Sequence, residues 1–192
     1  MKESKLDVNC LKKKSEDAVM IYKWDILAKG LDVIFCGLNP ASSAVESGHN
    51  FSNPRNRFWS VLYLAGFTDI CIRPHDEHRL LEYRCGVTAV VSRATKRADE
   101  ISTTEFRQVR PEFEVKMRYY MPRVIAFLGK RGLAGMISKP DIRWGILPIQ
   151  FAGTTAWVLP NPSGLNRGFP LKTLVAAYAE LRKALGGSSV VL

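Results

Sequence analysis

LDVIFCGLNP, Leu31 to Pro40, joins an unbroken apolar run to a glycine, an asparagine and a proline. Val33, Ile34 and Phe35, in a short run bounded by such residues, read as a strand buried on both faces, as at the centre of an α/β sheet. Ligands of open α/β sheets sit at the carboxyl ends of the strands, so Asn39 is expected where chemistry occurs.

A second stretch ends in the same way. VLPNPSG, Val158 to Gly164, follows a strand expected over Ala156 to Leu159. If the two strands are parallel neighbours, both asparagine-proline turns emerge at one edge and face a common cleft. Between them, Asn39 to Asn56 is a long polar connection carrying one aromatic, Phe51, and NRFWSVLYLAGF predicts a helix with Phe58, Val61, Leu62 and Ala65 on one face. Trp59 and Tyr63 are expected to pack in the core. A short helix over Asp76 to Arg84 precedes a strand in GVTAVV. Ser102 and Glu105 have capping-box spacing ahead of a helix with Phe106, Val109, Phe113, Met117 and Tyr120 inward; Pro111 splits it or is absorbed. Val124 to Leu128 predicts a strand, residues 138–154 an edge hairpin, and the chain from Pro170 an amphipathic helix closed by Gly186 and Gly187.

The 192 residues suit one domain, expected over 24–187, with an N-terminal extension over 1–23 that is loose or a short helix, and a tail over 188–192. A formal charge of +10 suits a polyanionic partner, although a merely basic protein meets it equally. Arg93, Lys96 and Arg97 are candidate phosphate contacts or simply solvated charges. Four cysteines without a CxxC pair and three scattered histidines supply no convincing metal set. No run is long enough to span a membrane, so a cytoplasmic protein is expected.

Asn39, Phe51 and Asn161 suggest a pocket for a flat, amide-bearing ligand, with an aromatic face for the ring and carboxamides for its edge. Gly164, Leu165, Asn166 and Arg167 place a leucine beside a cation in a turn. This suits a wedge entering a base stack, or a leucine tucked under a loop. Ser42, Ser43, Ser60 and Ser163 have no histidine and carboxylate at triad spacing, so the chemistry rests on positioning and hydrogen bonding.

The blocks VIFCGLNP at Val33 to Pro40, NPRNRFW at Asn53 to Trp59, YRCGVT at Tyr83 to Thr88 and VLPNPSGLNR at Val158 to Arg167 occur in this order. Together they resemble the mismatch-specific uracil-DNA glycosylase (Mug) family, related to thymine-DNA glycosylase, over roughly Trp24 to Leu185. The resemblance implies an α/β/α sandwich with a central, mostly parallel sheet. It also implies a monofunctional enzyme without cofactor or metal, acting on double-stranded DNA as a nucleoid-associated monomer. The activity implied is removal of uracil opposite guanine, leaving an abasic site, in base excision repair; ethenocytosine, thymine and deaminated purines are further candidate bases. By the same resemblance, Asn39 positions the attacking water, Phe51 stacks on the flipped base, and Asn161 donates near its O2. Backbone N–H groups at Leu38 and its neighbours stabilise the departing anion, and Gly164 to Arg167 form the wedge and contact the unpaired guanine. Ala41 stands where the bacterial pattern usually has glycine and would narrow the pocket; Asn166 stands where serine is common. The alternative is a non-catalytic mismatch- or damage-binding protein of the same fold.

Overall fold

The computed structural model describes residues 21–95 and 97–186. Five strands form one sheet: β1 (Val33–Gly37), β2 (Cys85–Ala89), β3 (Val124–Leu128), β4 (Gly145–Phe151) and β5 (Thr154–Leu159), in the order β2-β1-β3-β5-β4. All neighbours are parallel except β4, which pairs antiparallel with β5 at the edge. The architecture is an α/β three-layer sandwich.

Alternation along the central strands sends side chains into two separate cores. Val33 and Phe35 of β1, Ala126 of β3 and Trp157 of β5 pack with α2 (Phe58–Leu64), α5 (Leu171–Ala184) and a 3-10 segment at Pro74–Tyr83. Ile34 and Cys36, Ile125 and Phe127, and Val158 face the other way, against α3 (Thr103–Tyr120) and α4 (Arg131–Ile137). A sixth helix-like element, α1 (Ser42–Ser47), follows the first asparagine-proline turn.

Several expectations are corrected. β1 and β5 are parallel but not neighbours, because β3 lies between them. Pro111 does not split α3: it sits on the exposed side of the helix, where the carbonyl it leaves unbonded can meet water. Ser102 caps that helix as expected, its hydroxyl accepting from the Glu105 amide at 3.1 Å. Tyr63 faces solvent rather than the core, and Leu171 of the C-terminal helix, expected from its spacing to face the sheet, is exposed as well. The helices α1 and α4 are additional to those expected.

Residues 1–20 of the expected extension, Lys96 and the tail over 188–192 lie outside the described residues. No described helix is long and apolar enough to cross a membrane.

Candidate functional site

The carboxyl ends of β1, β2, β3 and β5 share one edge of the sheet, and there a cleft of about 540 Å³ opens. That size falls within the ~300–1,000 Å³ of small-ligand sites. Chain order reverses between β1 and β3, so a crevice at this edge is what the topology favours. Leu38, Asn39, Ala41, Phe51, Asn161, Gly164 and Leu165 all line it. With β3 interposed, the two asparagine-proline turns stand on opposite walls instead of side by side.

On the first wall, the Asn39 side chain donates from Nδ2 toward the carbonyls of Pro40 and Arg93, both at 3.1 Å, and toward Thr95 Oγ1 at 2.9 Å. Carbonyls only accept, so the amide nitrogen must face them and Oδ1 is turned away. Thr95 is buried, and its hydroxyl donates to the Arg97 carbonyl at 2.8 Å, which leaves its oxygen to accept from Asn39. Asn39 Oδ1 meets no protein donor among the described residues and remains an acceptor. Backbone bonds hold the same two segments together: the amides of Val90 and Val91 donate to the carbonyls of Gly37 and Leu38, each at 3.0 Å.

On the second wall the polarity is reversed. Asn161 Oδ1 accepts from the Ser163 amide at 2.9 Å, so Nδ2 is the end left to donate. Asn166 turns its own Nδ2 inward onto the Asn161 carbonyl at 2.9 Å. Tyr178, wholly buried on α5, supports this turn from below by donating to the Pro160 carbonyl at 3.2 Å; its burial pushes the phenol well above the ordinary tyrosine range.

Phe51 holds a left-handed backbone conformation, φ 52°, and stacks on Phe58 with ring centroids 3.9 Å apart. Its position follows from Asn50, whose amide donates to Glu77 Oε2 at 2.7 Å and whose Nδ2 donates to the Trp24 carbonyl at 2.9 Å. The Trp59 indole donates to the Asn50 carbonyl as well, at 3.3 Å. Leu165, 84% exposed, stands at the rim. At this exposure the leucine is not tucked under its loop.

The rim is fastened by Arg57, a residue with no signal in its own stretch of sequence beyond its place in NPRNRFW. Its guanidinium donates to the carbonyls of Pro162 (3.2 Å), Ser163 (2.8 Å), Asn166 (3.1 Å) and Phe169 (2.7 Å). Gly164 is required beside it: a Cβ there would lie 2.6 Å from both the Cβ and the carbonyl oxygen of Arg55.

Of the candidate phosphate contacts, Arg93 is held by a bidentate pair with Glu105 at 2.7 and 2.8 Å, and Arg97 by Asp99 at 3.0 and 2.6 Å. These partners hold the Glu105 and Asp99 carboxyls below their usual range. Arg167 is exposed beyond the rim.

Beneath the cleft lies a buried ion pair absent from the sequence expectations. Lys116 Nζ is 2.8 Å from Asp25 Oδ2, with both side chains at most 1% exposed. Asp25 also accepts from the Thr88 hydroxyl at 2.6 Å and from the Tyr22 amide at 2.8 Å, and the Tyr22 ring lies 3.3 Å from Lys116 Nζ. Tyr22, Asp25 and Thr88 all line the cleft. The available signal was a lysine on the apolar stripe of α3, between Phe113 and Met117.

The cleft lining offers an acceptor at Asn39, a donor at Asn161, the aromatic side chain of Phe51 and the exposed apolar tip of Leu165. It can orient a water and hold a planar heterocycle by its edge.

Among solved structures, the chain is similar to a solution NMR structure from Methanosarcina acetivorans described as a "putative Uracil DNA glycosylase". The match has 18% identity and a TM-score of 0.52, and covers 82% of this chain and 95% of that one. At that identity the likeness speaks for the fold. The family model of the uracil DNA glycosylase superfamily matches residues 24–182, through both cleft walls and the helix behind them. The chain belongs to the uracil DNA glycosylase superfamily.

Proposed function

We propose that the protein hydrolyses the N-glycosidic bond of uracil opposite guanine in double-stranded DNA and leaves an abasic site, as a mismatch-specific (Mug-like) member of its superfamily. One observation carries this reading: the free amide oxygen of Asn39 and the free amide nitrogen of Asn161 face one cleft from opposite walls, with Leu165 exposed at its rim.

In this reading the weakly paired uracil leaves the stack, Leu165 occupies its place, and the base slides into the slot against Phe51. Asn161 donates to a base carbonyl. As the glycosidic bond lengthens, backbone N–H groups at Leu38 and its neighbours stabilise the negative charge gathering on the base. A water accepted by Asn39 Oδ1 is aimed at C1′ of the oxocarbenium-like sugar. An amide has no useful basicity, so Asn39 orients the water without deprotonating it; the proton released as the water bonds to C1′ passes to the departing base anion or to solvent, and slow chemistry follows. No lysine among the described residues lines the cleft, and Lys116 beneath it is ion-paired, which supports hydrolysis without strand cleavage. Ala41 lines the mouth and sets how bulky a base is admitted.

The test is incubation of a labelled duplex carrying one G·U pair, followed by alkali. Strand scission at the uracil, and none before alkali, is expected. DNA binding without scission would replace this reading with the non-catalytic mismatch-binding one. Parallel duplexes carrying G·T, ethenocytosine, hypoxanthine and xanthine define the base range.

A further inference from the structure

Two arginines line the cleft, and they are in different states. Arg97 is tied to Asp99, whereas Arg55 is exposed and its side chain makes no hydrogen bond or ion pair among the described residues. Its root is nonetheless rigid. The Arg55 amide donates to Asn53 Oδ1 at 2.9 Å, the Asn56 amide donates to the Asn53 carbonyl at 2.8 Å, and the Arg55 backbone abuts Gly164. The surrounding sequence offers little to neutralise it. Glu46 is the only acid from Pro40 to Gly66, and none occurs from Leu159 to Pro170.

We propose that Arg55 is a DNA-contacting residue that holds the backbone phosphate flanking the everted nucleotide. The inference rests on the function proposed above and adds a residue to it. The position carries the argument. A strand whose base lies against Phe51, while Leu165 fills the vacated stack, must pass between the base-holding loop and the wedge turn. Arg55 stands at that junction with a fixed root and a free guanidinium. A cation there neutralises a phosphate without reading sequence, and so fixes the register of the strand over the slot. Arg57, two residues on, is already committed, because each of its three guanidinium nitrogens donates to a carbonyl of the turn or of Phe169.

The test is equilibrium binding by fluorescence anisotropy over a range of KCl concentrations. Two duplexes are used: one fully matched, and one carrying guanine opposite a 2′-fluorinated deoxyuridine that resists cleavage. Loss of one phosphate contact reduces the slope of log K against log salt by about 0.9. Arg55→Ala is expected to show that reduction on the fluorinated duplex, where a nucleotide is everted, and to keep the wild-type slope on the matched one, whereas Arg55→Lys is expected to keep the wild-type slope on both. Arg118→Ala, in the last turn of α3 at the opposite end of the sheet, serves as the control and is expected to keep it too. An unchanged slope in Arg55→Ala on the fluorinated duplex, an equal loss on both duplexes, or the same loss in Arg55→Lys would overturn the assignment. A wild-type protein that binds both duplexes yet excises no uracil would overturn the proposed function while the slope comparison still decides Arg55.

Discussion

Asn39 and Thr95, 56 residues apart in sequence, are joined by a 2.9 Å hydrogen bond that fixes which end of the Asn39 amide faces the cleft. Thr95→Val keeps the volume but removes the acceptor. Misplacing a reacting group by about 1 Å costs on the order of 10²-fold. Single-turnover excision from a G·U duplex is therefore expected to fall about 10- to 100-fold in Thr95→Val and further in Asn39→Ala, with DNA affinity little changed. Intact excision in Asn39→Ala would remove Asn39 from the water-positioning role.

Leu165 makes function separable from stability. At 84% exposure its truncation should alter folding stability by no more than about 0.5 kcal/mol. Leu165→Ala is expected to keep the wild-type thermal midpoint while losing excision from duplex DNA. Excision from single-stranded uracil, where no stack need be held open, should suffer less.

Arg57 is expected to tolerate no conservative replacement. One lysine ammonium cannot span four carbonyls, so Arg57→Lys should lose nearly as much duplex excision as Arg57→Ala. Each charged hydrogen bond lost contributes up to about 1.5–3 kcal/mol where the carbonyl is left without a partner, though not additively. Urea unfolding of both variants beside single-turnover kinetics would show the two effects together.

The Asp25–Lys116 pair should be costly to break and cheap to replace. Removing one partner of a buried pair destabilises by about 3–5 kcal/mol, whereas replacing both with apolar groups is often near neutral. Lys116→Met alone is expected to lower the denaturation midpoint sharply, and adding Asp25→Leu to recover much of the loss. A double variant no better than the single would show that the Thr88 hydroxyl and Tyr22 amide, left without Asp25, dominate.

Alkaline pH should weaken the fold through its buried thiols. Burial pushes Cys85 up to about 12, while an unfolded thiol titrates near ~8.5. Because the folded value is the higher one, its contribution is complete below about pH 8.5 and is lost progressively as pH rises toward the folded value. Denaturant midpoints measured between pH 7 and pH 10 should decline, and Cys85→Ala should flatten part of that decline.

The sequence discloses most of the sheet because β1, β3 and β5 are short apolar runs with abrupt polar ends. It does not disclose their order: a β3 inserted between β1 and β5 leaves each strand's own residues looking the same. The helix α4 escapes because its seven residues, RGLAGMI, include two glycines and no long stripe. Within the site, Asn39, Phe51 and Asn161 are legible as polar or aromatic residues just past strands or in a loop, and Leu165 as an apolar residue in a polar turn. Arg57, Thr95 and the Asp25–Lys116 pair are not, because what they do depends on segments brought close only by folding. Arg57 reaches carbonyls 105 to 112 positions away, and Lys116 an aspartate 91 away.

The loop that carries Phe51 and the turn that carries Leu165 meet directly. The Arg57 amide donates to the Pro162 carbonyl at 3.0 Å, its guanidinium reaches further along the turn, and Arg55 abuts Gly164. In the function proposed above, the part that would grip a base and the part that would open the duplex are therefore tied into one jaw, anchored at the start of α2. Such a jaw would have a preset gape. It would gauge a nucleotide by whether it can be drawn out far enough to fit, so that the looseness of the original pair and the dimensions of the base are assessed in a single motion.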